Sequence, residues 1–397
     1  MPLPKIEKAE FARRLSLAQQ SLRRAGLDAL LVHGNEAEMA SVRYFSDYWP
    51  IFESAGVLIP AEGGAALLIG PESETFAADR STIATIHKMI EYREPADPEY
   101  PGIEVAGFKE VLRRHCGALP KKLGISGWTI LPMPVWSSLR QALGDAEIAP
   151  CESVVRDLRA IKSSAEVACL AAAFDISAAA LKAVLAAMRP GMTELELVGV
   201  AQQAMYARGA EYEGMPQYVL SGRNTAHAIS RPTHRRIGAG ELVQLNISAR
   251  VGGYSSGIGR PACLGSMSGT MAELVDFGLE AHRWTIDHMQ PGASAGEVAR
   301  QYERFVRQRG YEEYMLYGPC HGLGMIEVEP PWLEKTSDYE LQPGMAFQAD
   351  TFFYTPPDSR LAADGVFGLR WEDGLIITDS GNRLLSDLLW ERIEVQV

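Results

Sequence analysis

Cysteine is scarce in this sequence: five residues in 397, an odd number with no framework spacing. Free thiols in a reducing compartment are therefore expected rather than a disulfide scaffold. Basic runs are missing too. With 38 Lys and Arg against 50 Asp and Glu, the formal charge is -12. A nucleic-acid partner is not expected, because phosphate recognition needs clustered cations. No uninterrupted apolar stretch approaches membrane-spanning length, so no membrane partner is expected. The N-terminus, MPLPKIEKAEFARRL, is charged and amphipathic and lacks the apolar centre of a secretory signal. These absences read as a cytoplasmic chain whose acidic balance favours a neutral or cationic substrate. C-x-x-C and H-E-x-x-H spacings are also lacking, and no G-x-G-x-x-G opens a helix, which removes the common zinc and dinucleotide signatures.

What is there is an ordinary globular balance, 47% apolar and 22% charged, over a length that fits two domains. Phe11, Leu15, Ala18 and Leu22 recur at helical spacing over residues 6–25, and Gly26 closes the run. Short apolar strands at 27–32, 56–59, 65–69 and 122–125 alternate with a helix at 105–116. This pattern predicts an α/β N-terminal domain over residues 1–155. Residues 156–397 form the second domain. It opens with an Ala- and Leu-rich helix over 165–188, stopped by Gly191. Thr193 with Glu196 then forms a capping box for another helix. Strands are expected at 243–249, 345–353 and 375–378, with helices over 271–289 and 295–309 between them. The whole is α/β with α+β character.

Polar groups concentrate in four segments of the second half: Ser221-Gly-Arg-Asn-Thr-Ala-His227, residues 245–260, Gly318-Pro-Cys-His-Gly-Leu-Gly-Met-Ile-Glu-Val-Glu-Pro330, and Phe347-Gln-Ala-Asp350 with Gly368-Leu-Arg-Trp-Glu-Asp373. Glycines beside a His or a carboxylate let backbone approach a ligand closely. Asp350, set among Phe347, Ala349, Phe352 and Phe353, needs a partner or a raised pKa. Glu327 and Glu329 alternate on an expected strand and so should share a face. Arg370 and Glu372 flank Trp371 and could pair. Tyr254 on the Gly-Gly-Tyr hairpin could donate to a substrate oxygen or simply pack. Cys320 beside His321 raises a thiolate nucleophile, against the commoner buried, inert thiol.

In this order the segments resemble the family that contains creatinase, prolidase, aminopeptidase P and methionine aminopeptidase. Leu158-Arg-Ala-Ile-Lys-Ser163 with Glu166, and Leu341-Gln-Pro-Gly-Met345, add to the likeness. The resemblance implies a creatinase-like N-terminal domain, a C-terminal pita-bread domain, and a homodimer with shared active sites. The family's metallopeptidases hold two metal ions with Asp, Asp, His, Glu and Glu. These positions fall on Asn246, Gly257, His321, Asp350 and Glu372. Asn246 offers no bidentate anion and Gly257 no side chain, so a two-ion site is not expected. Creatinase, the family's metal-independent hydrolase, also carries Asn at the first position, and its catalytic His matches His227.

The favoured expectation is thus a metal-independent hydrolase of a C–N bond in a small nitrogenous substrate such as an amidine or amide, needing no cofactor. His227 would carry the proton, with His321, Asp350 and Glu372 as further catalytic groups. Asn246, Tyr254, Glu327, Glu329 and Arg370 would line the pocket, and Phe52 and Glu53 would reach it from a partner copy. Creatine itself is not expected. Its substrate-holding Glu falls on Gly259, and its carboxylate-binding arginines have no counterpart near Ala55 or in residues 330–339. Two alternatives stand beside this reading. One is an Xaa-Pro peptidase with one Mn, Fe or Zn ion on His321, Asp350 and Glu372. The other is a non-catalytic binding protein on the same fold.

Overall fold

The structure is a computed structural model that describes residues 2–397. It divides into two compact units, residues 6–159 and residues 160–397 together with residues 2–5.

In the N-terminal unit α1 (Lys8–Ala25) buries Phe11, Ala18 and Leu22 on one stripe and ends at Gly26, whose φ of 65° gives the left-handed cap. Then follow β1 (Ala29–Gly34), α2 (Ala40–Ser46), β2 (Ala55–Pro60), β3 (Ala66–Ile69), α3 (Glu74–Arg80), β4 (Ile86–Lys88), α4 (Phe108–Cys116), β5 (Lys122–Ser126), α5 (Met133–Leu143), β6 (Glu147–Pro150) and α6 (Glu152–Ala160). The sheet runs β4-β3-β2-β1-β5-β6. Its central strands are continuous apolar runs because they are buried on both faces. Leu31, Leu58, Leu68, Leu123 and Ile125 pack with Phe108, Val111 and Leu139 on one side.

The C-terminal unit opens with α7 (Ser164–Ala187) and α8 (Glu194–Tyr206), each started by a full capping box, Ser163 with Glu166 and Thr193 with Glu196. By length and composition α7 could cross a membrane, which differs from the sequence expectation because Ala-rich turns with few charges raise its mean hydropathy without an uninterrupted apolar run. Here its Cys169, Leu170, Ala173, Phe174 and Ala180 are buried as a core helix. Next come β7 (Tyr218–Ser221), β8 (Leu242–Ile247), β9 (Arg250–Val251), β10 (Tyr254–Ser255), β11 (Ile258–Leu264), α9 (Gly269–His288), α10 (Ala295–Gln308), β12 (Cys320–Gly322), β13 (Glu329–Leu333), β14 (Ala346–Tyr354), α11 (Arg360–Ala363), β15 (Gly368–Thr378), β16 (Gly381–Leu384) and β17 (Ile393–Val395). Seven strands follow the order β13-β12-β14-β15-β11-β8-β7, with β16 on β15 and β17 on β11. β15 is far longer than the 375–378 run expected, because its polar first half, Gly368 to Asp373, pairs with β14 and is buried.

Candidate functional site

Strand register builds the site. Asn246 lies opposite Gly259, Gly259 opposite Glu372, and Glu372 opposite Asp350. Positions 246, 259, 372 and 350 therefore form one row across β8, β11, β15 and β14, and cross-strand partners share a face. His321 on β12 faces Gln348, two residues before Asp350, which adds an imidazole beside the row. His321, Asp350 and Glu372 each bring one ligand atom within 4.8 Å of the others, and all three are buried.

The hydrogen bonds differ from the sequence expectation in one central respect. Arg370 does not pair with Glu372, its near neighbour on β15. Its Nε lies 3.1 Å from Asp350 Oδ1, and its Nη2 donates to Tyr317 Oη at 2.6 Å and to the Ala228 carbonyl at 2.9 Å. The register explains this: Arg370 and Glu372 point to one face but run along the strand, whereas Arg370 sits opposite Phe352, diagonal to Asp350. Tyr317 completes the arrangement by donating to Asp350 Oδ2 at 2.7 Å. Asn246 is used as a donor, its Nδ2 bonding Glu372 Oε2 while its Oδ1 accepts from Gln244 Nε2 at 2.7 Å.

Burial raises the pKa of both Glu327 and Glu372, and the negative charge of Asp350 raises them further. The charge of Glu327 adds to the rise at Glu372. Burial opposes the charge of Arg370, but Asp350 and the surrounding acids outweigh it and keep the guanidinium charged. Burial, followed by Asp350, pushes the Cys320 thiol well above its ordinary value. That direction disfavours a thiolate nucleophile at Cys320 and fits a buried, inert thiol.

The loop that carries His227 is organised by a residue the sequence reading missed. Buried Glu194 accepts from Ser221 N and Oγ, from Asn224 Nδ2, and from Thr233 N and Oγ1. Its only sequence signal is a carboxylate in the first turn of α8, which reads as an ordinary helix start. His227 itself is exposed, with Nδ1 3.3 Å from Ser230 Oγ.

Three other expected pocket residues have structural roles. Tyr254 donates to Glu166 and ties β10 to α7. Glu329 does not share a face with Glu327, because residues 324–328 are a bend and only Glu329 enters β13. It forms a buried ion pair with Lys162 Nζ at 3.0 Å. Glu53 accepts from Glu72 N, Ser73 N and Ser73 Oγ within its own unit, closing the turn before α3 rather than presenting a free carboxylate. Phe52, by contrast, is 73% exposed at a left-handed φ of 58°.

One divalent ion fits this donor set. Among the described residues Glu327 Oε1 is a buried oxygen without a hydrogen-bond partner, and Asp350 Oδ1 is met by the ion-pair contact of Arg370 Nε. With one imidazole they suit Mn, Fe or Zn. Two ions do not fit, since Asn246 already donates to Glu372 and position 257 has no side chain.

Comparison with known proteins shows the family and favours the metal-dependent alternative over the metal-independent expectation. The description Metallopeptidase family M24 matches residues 168–379, and Creatinase/Prolidase N-terminal domain matches residues 14–161. An Xaa-Pro dipeptidase of Pyrococcus horikoshii is 26% identical over 360 residues, 91% of this chain and 93% of the relative. The solved Xaa-Pro dipeptidase from Bacillus anthracis superposes with a TM-score of 0.80 at 26% identity, covering 97% of this chain and 99% of that one. The X-Pro aminopeptidase from Thermotoga maritima shares the fold, with a TM-score of 0.81 at 20% identity and coverage of 96% and 99%. The metal-independent, non-peptide reading centred on His227 finds no support among these relatives, and the ligand cluster fits the metal-dependent alternative instead.

Proposed function

Because the chain belongs to metallopeptidase family M24, we propose that it hydrolyses the peptide bond before proline in a short peptide, with a single divalent ion held by His321, Asp350 and Glu372. The observation that carries this reading is the convergence of those three buried ligand atoms within 4.8 Å of one another. A bound divalent ion supplies Lewis-acid polarisation and a water of lowered pKa.

The chain's own residues prepare the site. Tyr317 and Arg370 hold Asp350 from two sides and fix its orientation. Asn246 holds Glu372. Trp332, whose ring centroid lies 5.9 Å from that of His321, is partly exposed. Leu316 and Ile229 are exposed too, next to the Tyr317 and Ala228 that bond Arg370. These exposed side chains offer apolar surface to a proline ring. A homodimer belongs to the same proposal and is supported by the exposed Ile51 and Phe52 of the N-terminal unit.

The test is metal analysis joined to peptide hydrolysis. Protein stripped with a chelator and reloaded with Mn, Fe or Zn should hold one ion per chain and regain Xaa-Pro cleavage, and His321→Ala should lose both. Cleavage that is indifferent to chelation, or no cleavage with any ion, overturns the proposal.

A further inference from the structure

Gly257 removes a side chain from the acidic centre, yet the space is not left without charge. A Cβ built at Gly257 would lie 3.2 Å from Glu327 Oε1, 3.4 Å from Glu372 Oε1 and 3.0 Å from Gln348 Nε2. The region that a residue at 257 would reach from β11 is thus already reached by Glu327, which arrives from the bend between β12 and β13. Glu327 is only 5% exposed, and its Oε1 has no hydrogen-bond partner. That oxygen stands 3.7 Å from His321 Nε2.

The bend is held in place. Ser255 N donates to Gly324 O and Ser255 Oγ to Met325 O, both at 2.8 Å. Ile326 N donates to Glu329 Oε2 at 3.3 Å, and Glu329 is fixed by Lys162. A carboxylate so constrained, buried and unsatisfied is costly unless a cation or donor meets it.

We propose that Glu327 is the fourth donor of the cation site, supplying from the loop the carboxylate that position 257 lacks. This rests on the single-ion reading above. The site would then join one imidazole to the carboxylates of Glu327, Asp350 and Glu372. Three negative charges less the Arg370 guanidinium leave two, which one divalent ion balances. Gln348 argues against a second ion: its amide bonds the Gly257 carbonyl at 2.5 Å and sets a neutral group 3.0 Å from where a Cβ at 257 would stand.

The experiment is Mn²⁺ titration of the chelator-stripped chain, with free Mn²⁺ read by electron paramagnetic resonance. It compares wild type, Glu327→Gln, Glu327→Val, and Glu327→Val combined with Gly257→Asp. Wild type should bind one ion. Both single variants should bind at least about 10-fold more weakly, and the added Gly257→Asp should recover most of that loss. Melting curves in chelator establish that each variant is folded, and the near-isosteric Glu327→Gln decides the matter where Val does not fold. If wild type binds one ion and Glu327→Gln binds it equally tightly, this inference fails and the three-donor site stands. If wild type binds no Mn²⁺, the single-ion reading falls and takes this inference with it.

Discussion

Asn246 shows how one amide can hold an acidic centre together. Its Nδ2 donates to Glu372, whose neighbours Glu327 and Asp350 both disfavour its charge. Asn246→Asp would replace that donor with a further carboxylate. The variant should lose stability on the order of 1–3 kcal/mol in chelator, and Mn²⁺ should restore most of it. Thermal melts with and without the ion check this, and a variant as stable as wild type in chelator contradicts it. A second residue-scale effect lies within the N-terminal unit. Both ring nitrogens of His33 are buried without partners, and burial pulls its pKa from 6.5 to about 4. Since the folded value is depressed, the unfolded chain binds the extra proton between pH 6.5 and 4. Stability should therefore be full above pH 6.5 and fall below it by up to about 1.4 kcal/mol per pH unit. Urea unfolding of wild type and His33→Leu at pH 7 and pH 5 tests the sign: the variant's disadvantage should shrink at the lower pH. Of the centre itself, His321, Asp350 and Glu372 were legible from motif order. The Arg370–Asp350 contact was not, because it depends on which residues of β14 and β15 stand opposite each other, and local sequence does not encode register.

The element that owes most to tertiary contacts is the loop after β7. Residues 221–233 have little apolar content of their own, and their geometry comes from the buried Glu194 carboxylate at the start of α8. Glu194→Ala leaves those donors unpaired and should cost about 3–5 kcal/mol. Amide exchange should rise across 221–233 while β14 and β15 stay protected. Equal protection of the loop in the variant would show that Glu194 does not hold it. Helices were read well from sequence because their signals are local: the α8 capping box and the Gly26 stop both lie within one turn of the ends they set. Strands were read poorly where they are polar, as in the first half of β15. The bend at 324–328 was mistaken for strand because alternation at Glu327 and Glu329 mimics the period of two. Yet that bend is what turns Glu327 to His321 and Glu329 to Lys162.

At the scale of the whole molecule, exposed apolar side chains and net charge pull in opposite directions. Phe52 is 73% exposed and Ile51 49%, and Phe52 holds a positive φ, which costs a bulky residue on the order of 1–3 kcal/mol. Backbone strain that displays an aromatic ring to water is unfavourable in an isolated chain and would be offset in the proposed homodimer if a second copy buried the ring. Against association stands a formal charge of -12 on each copy, whose repulsion is long-ranged at low ionic strength and screened by salt. A dimer held by apolar contact should therefore tighten as salt is added, the reverse of one held by ion pairs. Sedimentation velocity of wild type at low and high salt should show the dimer fraction rising with salt. Phe52→Asp should remain monomeric in both, while its melting temperature at low concentration stays within a few degrees of wild type. A dimer that weakens with salt, or that survives Phe52→Asp, would place the interface elsewhere and leave the exposed ring without this explanation.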